Sequence, residues 1–237
     1  PLVDWPQFRG PNGNGYIGKL NHPIEWSKKK NLSWSESIPG GGWSSPIVVG
    51  DRVFLTTAVD SNNTKPLDHA GGVRNMRGKK ASEPFAFKVI CISLIDGSVQ
   101  WGKDIAVETP KFPIHASNTY ATESPVTDGK YLYCYFAAIG RVVALDMDGK
   151  LNWSVYVGAF PGGNGFGTGS SLAYKSGKLF LQCDNDKDSF VLSLDANTGN
   201  ESWKRKRSSS TSWSTTTNPP STSAGSGSCT SPGKWAG

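Results

Sequence analysis

Four side chains that together could bind or transfer protons fall close together in the 237-residue chain: His115, Asn118, Tyr120 and Glu123. An imidazole, an amide, a phenol and a carboxylate would form a polar binding surface or a general acid/base group. The alternative is that they satisfy backbone groups at a structural junction, as buried polar side chains must. Asp184-Asn185-Asp186-Lys187-Asp188 alternates carboxylates as calcium loops do. It carries Ser189 where a calcium loop of the helix-loop-helix type turns on glycine, and it lies between two strands. Asp184, Asp186 and Asp188 are therefore weak calcium candidates, and a charged β-turn is the favoured reading. Three histidines, His22, His69 and His115, stand far apart, so no zinc cluster is visible. Gly162 to Gly169 is glycine-rich but lacks the Lys-Ser/Thr that phosphate loops need. It reads as a flexible lead into an inner strand.

The elements that must position these groups repeat. Gly97 leads to Trp101, Gly149 to Trp153 and Gly199 to Trp203, each after an apolar strand, with the tryptophans 52 and 50 residues apart. Asp-Met-Asp-Gly and Asp-Ala-Asn-Thr-Gly supply the turns, because glycine accepts positive φ and Asp or Asn caps its own backbone. Each copy reads as strand, tight turn, strand, with the Trp covering a neighbouring sheet. Ser45-Pro46-Ile47 to Leu55 is echoed by Ser124-Pro125-Val126 to Tyr133 and, more weakly, by Ser171-Leu172-Ala173 to Leu181. The two halves make four strands per unit, a propeller blade. No window keeps a helical period, so the fold class is all-β. The expected architecture is a partial β-propeller of four-stranded antiparallel blades at about 43–105, 123–158 and 169–207, with a fourth starting near Ser212-Trp213-Ser214.

Leu194 to Trp203 closely matches Leu-Asp-x-x-Thr-Gly-x-x-x-Trp, and in this it resembles the repeat of PQQ-like (pyrroloquinoline quinone) β-propellers. Asp4-Trp5-Pro6-Gln7-Phe8-Arg9-Gly10-Pro11-Asn12-Gly13, Trp43-Ser44-Ser45-Pro46 and the stretch from His115 to Pro125 are similar to one bacterial branch of that family, typically exported. The resemblance implies a periplasmic or secreted protein, and a ring that closes with seven or eight blades. Trp34-Ser35-Glu36-Ser37-Ile38 looks like the last strand of a blade, and in closed propellers such a strand completes the final blade. Its sister strands are not in the chain, which starts at Pro1 without Met, so the expectation is a fragment at both ends. The closing strand then either pairs near Trp213 or stays unpaired. The division expected is an N-terminal extension and closing strand at 1–42, the partial propeller at 43–215, and a Ser/Thr/Gly/Pro-rich tail at 216–237. That tail is too poor in apolar residues to offset ordering entropy. It reads as a disordered linker, a diverged blade or, by preference, a reading-frame error.

The remaining composition excludes more than it assigns. With 36% hydrophobic residues and nine tryptophans the chain can bury a large core. The net charge of +6 is concentrated partly in Arg74 to Lys80 and in Lys204-Arg205-Lys206-Arg207. A solvated edge strand protected by charge explains the second run, and nucleic acid binding is not supported. The four cysteines, Cys91, Cys134, Cys183 and Cys229, form no Cys-x-x-Cys pair and no disulfide framework. No apolar run is long enough to span a membrane.

Two classes of function remain. One is a non-catalytic platform in the cell envelope that binds a protein or a small molecule at the propeller face. In a propeller, the segment leading into each innermost strand approaches the central channel, which places His115 to Glu123 there. Trp43, in the matching segment of the preceding blade, points to a packing or lid role. The other class is a quinoprotein dehydrogenase that oxidises an alcohol or sugar with PQQ and calcium. That resemblance implies a vicinal cysteine pair in the alcohol-dehydrogenase type, a Glu-Asn-Asp calcium set and a Trp under the quinone. Neither the cysteine pair nor the calcium set can be recognised here. The platform is favoured, with no catalytic residue and no cofactor expected beyond PQQ by family resemblance.

Overall fold

Alternating apolar residues between glycine turns produce strands that pair with their sequence neighbours, because each tight turn brings the next strand alongside. The computed structural model describes residues 4–16, 18, 23–61, 81–115, 118–162, 165–185 and 188–207. Among the described residues, twelve strands form three four-stranded antiparallel sheets in sequential order. Blade 1 comprises β1 (Ile47–Val49), β2 (Arg52–Asp60), β3 (Phe85–Ser93) and β4 (Val99–Glu108). Blade 2 comprises β5 (Val126–Thr127), β6 (Tyr131–Phe136), β7 (Arg141–Asp146) and β8 (Leu151–Tyr156). Blade 3 comprises β9 (Ala173–Lys175), β10 (Lys178–Cys183), β11 (Phe190–Asp195) and β12 (Glu201–Lys206). One short 3-10 turn, Ala137–Ile139, follows β6. The chain is therefore all-β, as its repeat predicts, and its three sheets are consecutive blades of a partial β-propeller.

The blades stack face to face over two apolar layers. Phe54, Phe87, Val89 and Cys91 of blade 1 meet Leu132, Cys134, Phe136, Val143 and Leu145 of blade 2, all fully buried. Tyr133, Tyr135, Val142 and Ala144 of blade 2 meet Leu179, Leu181, Phe190, Leu192 and Leu194 of blade 3. At roughly 1.5–3 kcal/mol for each large side chain removed from water, these seams dominate the stability of the stack.

The repeated Trp stitches the seams. In every blade the register between the third and fourth strands shifts by one residue just before it, so that Cys91, Ala144 and Ser193 oppose Trp101, Trp153 and Trp203. A bulge re-aims the side chain that follows it. Here it sends the indole onto the glycine turn of the next blade. Trp101 Nε1 donates to Met147 O at 3.2 Å and Trp153 Nε1 to Ala196 O at 3.0 Å. The turn must end in glycine for this: Gly149 (φ 84°) and Gly199 (φ 74°) lie in the left-handed region, and a Cβ there would sit 3.0 and 2.8 Å from the indoles. Trp34 makes the same contact with blade 1, donating from Nε1 to Leu94 O at 2.8 Å over Gly97. Residues 31–38 carry no strand pairing, yet Trp34 and Ile38 cover Val53, Ile90 and Ile92 on the outer face of blade 1. The indole thus takes a blade's place without a blade around it.

A feature without any sequence signal lies on the channel side. Trp5 pairs antiparallel with Val48, exchanging both backbone bonds at 2.7 and 3.0 Å, and Pro6 O accepts from Thr127 N at 3.0 Å. The N-terminal arm thus bridges the innermost strands of blades 1 and 2. Trp213 and the tail at 216–237 lie outside the described residues, as does the Arg74 to Lys80 cluster.

Candidate functional site

The segments leading into the innermost strands, 40–46, 118–125 and 165–172, lie side by side at one end of the blades. Their repeated serines form a second inter-blade rung. Ser45 N donates to Ser124 Oγ at 2.9 Å, and Ser124 N donates to Ser171 Oγ at 2.9 Å. Trp43 N adds a bond to Ala121 O at 2.9 Å. The backbone of each lead-in segment is thereby held by the next blade, which any buried N–H requires.

Within this rung the sequence candidates separate. Asn118 Nδ2 donates to Phe166 O at 2.8 Å and to Thr168 O at 3.4 Å, while its Oδ1 accepts from Thr119 N at 2.7 Å and Thr122 Oγ1 at 2.6 Å. Glu123 is 1% exposed, and its Oε1 accepts from Thr168 Oγ1 at 2.6 Å. Burial pushes its carboxyl up to about 7, against the pull of the Thr168 hydroxyl and neighbouring backbone donors. His115 is buried, with its ring 5.2 Å from that of Phe166. These three side chains converge on residues 166–168 of blade 3. Tyr120 does not join them. It enters the layer between blades 1 and 2, 5.1 Å from the Phe85 ring, with its hydroxyl donating to Phe112 O at 3.4 Å, and burial raises its pKa.

The weak calcium candidates are drawn towards cations instead. Asp184 pairs with Arg207, and Asp188 pairs with Lys206 at 2.9 Å. Asp186 lies outside the described residues. Lys206, which ends β12, and Arg207 after it are thus paired within their own blade, and Lys204 sits 3.8 Å from the centre of the Phe190 ring. Among the described residues, no three of His, Cys, Asp and Glu gather to hold a metal ion. Cys91, Cys134 and Cys183 are buried free thiols, and burial pushes Cys91 up to about 11.

What remains open at this end is aromatic. Trp43 and Phe166 are 52% and 50% exposed, one on either side of the blade 2 lead-in. A cavity of about 260 Å³ lies beside Trp43, walled by Ile38, Pro46 and Leu55 and floored by the Gly40–Gly42 backbone. The serine that recurs before each inner strand, at Ser45, Ser124 and Ser171, is a sequence signal for the rung, but nothing in the sequence marks Thr168 as the partner of Glu123.

A protein-family model, PQQ_2, described as outer membrane protein assembly factor BamB, matches residues 86–228. No curated protein matches the chain. Among solved structures, a quinohemoprotein alcohol dehydrogenase from Comamonas testosteroni is similar with a TM-score of 0.58 at 17% identity. The match covers 86% of this chain and 27% of that one. A europium-containing methanol dehydrogenase is similar with a TM-score of 0.52 at 15% identity, over 86% of this chain and 32% of that one. At such identities the likeness establishes the fold alone. The chain spans about a third or less of the length of these structures.

Proposed function

The chain belongs to the PQQ_2 family, and on that premise we propose that it acts as a non-catalytic binding or assembly platform in the cell envelope. The partner, a protein or a small molecule, meets the end of the blades that carries Trp43 and Phe166. The observation that carries this reading is the fate of the chemistry-bearing side chains. Asn118 and Glu123 are taken up by bonds to blade 3, and Tyr120 is buried between blades 1 and 2. A general base needs a reachable proton at hydrogen-bond distance, whereas Glu123 already holds the Thr168 hydroxyl. The family's description, an outer membrane protein assembly factor, supports a place in the envelope. No helix among the described residues is long and apolar enough to cross a membrane.

The competing reading is a quinoprotein dehydrogenase, and the residues present do not fit its cofactor. A calcium-bound quinone needs converging oxygen ligands, but the buried Glu123 carboxylate is held by Thr168 and the Asp184 and Asp188 carboxylates by Arg207 and Lys206. Titration of the chain with PQQ and calcium, followed by absorbance and by dye-linked oxidation of alcohols, separates the two readings. The platform predicts no binding beyond that of an unrelated protein and no oxidation. Micromolar PQQ binding that Glu123→Ala or Asn118→Ala abolishes would replace it with the enzyme.

A further inference from the structure

The cavity of about 260 Å³ beside Trp43 has a chemistry of its own. None of the described residues lining it is charged, so it offers no partner to a phosphate, a carboxylate or a metal ion. Its polar groups are hydroxyls and backbone amides. The hydroxyls are committed within the fold: Thr57 Oγ1 donates to Pro39 O at 2.7 Å, and Ser44 Oγ accepts from Thr56 N at 3.1 Å. The backbone is not. Gly40 and Gly42 lie so close to β2 that a Cβ would stand 2.4 and 2.3 Å from the Ala58 and Thr56 carbonyl oxygens. Glycine is required there, and no side chain rises between Pro39 and Trp43.

From Gly41 to Ser45 hydrogen bonds recur on every second residue. Gly41 exchanges both backbone bonds with Ala58, Trp43 N donates to Ala121 O, and Ser45 N donates to Ser124 Oγ. In an extended chain alternate peptide groups point to opposite sides. Gly42 and Ser44, which both line the cavity, accordingly have no backbone hydrogen bond among the described residues. An added β-strand does not fit this edge. Pro46 has no N–H, and the Val48 backbone is already paired with Trp5, so the open edge ends at Ser44. The cavity is also smaller than the roughly 300 Å³ at which sites for drug-sized ligands begin, which leaves room for one ring and a small substituent. The half-exposed Trp43 indole supplies a flat wall whose negative face attracts the weakly positive C–H bonds of a saturated ring. Ile38, Pro46 and Leu55 supply an aliphatic wall.

We propose that this cavity binds a neutral N-acetylhexosamine, a pyranose carrying an acetamido group. The sugar ring lies on the Trp43 indole. The acetamido carbonyl accepts from the open backbone N–H groups at Gly42 and Ser44, the acetamido N–H donates to a carbonyl of the same segment, and the methyl meets the aliphatic wall. A sugar without the acetamido group leaves those backbone groups and that wall unmatched, which sets this ligand apart from the alcohols and sugars of a dehydrogenase. The inference rests on the platform reading and gives the platform a ligand, with no bond made or broken.

The test uses the full chain with ¹⁵N-labelled tryptophan, the Trp43 indole resonance being identified by its loss in Trp43→Phe. The probes are N-acetylglucosamine and its β-linked trimer. The Trp43 resonance shifts saturably with both, while those of Trp101 and Trp153 stay in place. Glucose binds about ten-fold more weakly, the loss expected when polar and apolar groups of the site are left unmatched. Saturation transfer from the chain to the acetamido methyl falls about ten-fold in Trp43→Ala and is partly restored in Trp43→Phe, and unshifted Trp101 and Trp153 resonances confirm the fold of both variants. Equal affinity for glucose and N-acetylglucosamine overturns the inference, and so does an unmoved Trp43 with either acetamido sugar, which leaves the platform reading standing. A Trp43 shift on adding PQQ instead overturns the platform reading and the inference with it. Lysozyme-released cell-wall fragments form the last arm: tighter binding than the trimer assigns the ligand to the cell-wall glycan, and weaker binding assigns it to a free one.

Discussion

The seam between blades 1 and 2 and the seam between blades 2 and 3 share two rungs, the Trp on a turn carbonyl and the Ser on a backbone N–H, yet differ in everything around them. The first seam has a mostly aliphatic and phenylalanine interior, joined by Tyr120, and carries its charges at the rim, where Arg52 meets Asp148 and Arg141 meets Glu108 at 2.8 Å. The second has a column of aromatic rings, with Tyr133 stacked 6.0 Å from Tyr174 and 6.1 Å from Trp153, and it holds a buried acid on a threonine. The common rungs set spacing and register, because a backbone bond tolerates little displacement. The variable surroundings decide how each seam responds to mutation, salt and pH.

The largest test of this comparison removes the indole. Trp153→Ala is expected to cost about 3 kcal/mol in urea unfolding, from lost packing and an Ala196 carbonyl left without its donor. Trp101→Ala should cost about 1 kcal/mol less, because Arg52 still donates to the Met147 carbonyl. Equal losses would show that the rim cation contributes nothing to the first seam.

The buried acid gives the second seam a pH dependence of comparable size. Its carboxyl sits at about 7 in the fold against an ordinary 4.5, so between those values the folded chain holds more protons than the unfolded one. Stability is therefore full below about pH 4.5 and falls as pH rises to about 7, by on the order of 3 kcal/mol. Glu123→Gln should flatten the profile and leave the variant more stable than the parent at pH 8, measured by urea unfolding at pH 5 and pH 8. A parent whose stability rises across that window would contradict the assignment.

Smaller effects separate the shared serine rung from the rim. Ser124→Ala leaves the Ser45 N–H without its acceptor and should cost about 1–2 kcal/mol, with faster amide exchange at Ser45. Arg52→Met should cost less than about 1 kcal/mol, and raising the salt concentration should erase most of the difference. A salt-insensitive loss would place the value of Arg52 in its bond to the Met147 carbonyl rather than in the ion pair with Asp148.

Much of the architecture was legible in the residues. Gly97, Gly149 and Gly199 mark turns that only positive φ can close, and the Trp four residues on occupies the same pleat each time. Local sterics and strand periodicity suffice for both. The site was legible in part. His115, Asn118 and Glu123 were read as neighbours and do converge, but on residues 166–168, which the sequence placed in a flexible lead-in. Tyr120, two residues from Asn118, turns into the opposite seam. No local pattern distinguishes these outcomes, because they depend on which side of the segment the next blade lies.

The chain's own residues determined the strands, the turns, the four-strand unit and the recurrence of an indole, since each follows from contacts among residues close in sequence. The tertiary structure alone decided where those side chains are used. It aimed each indole, through a one-residue bulge, at the following turn, and it gave Glu123 the Thr168 hydroxyl from 45 residues away. It also laid the arm at Trp5 and Pro6 across two innermost strands. Pairings over such separations are set by which surfaces stack once the apolar faces are buried, and periodicity along the chain carries no record of that choice.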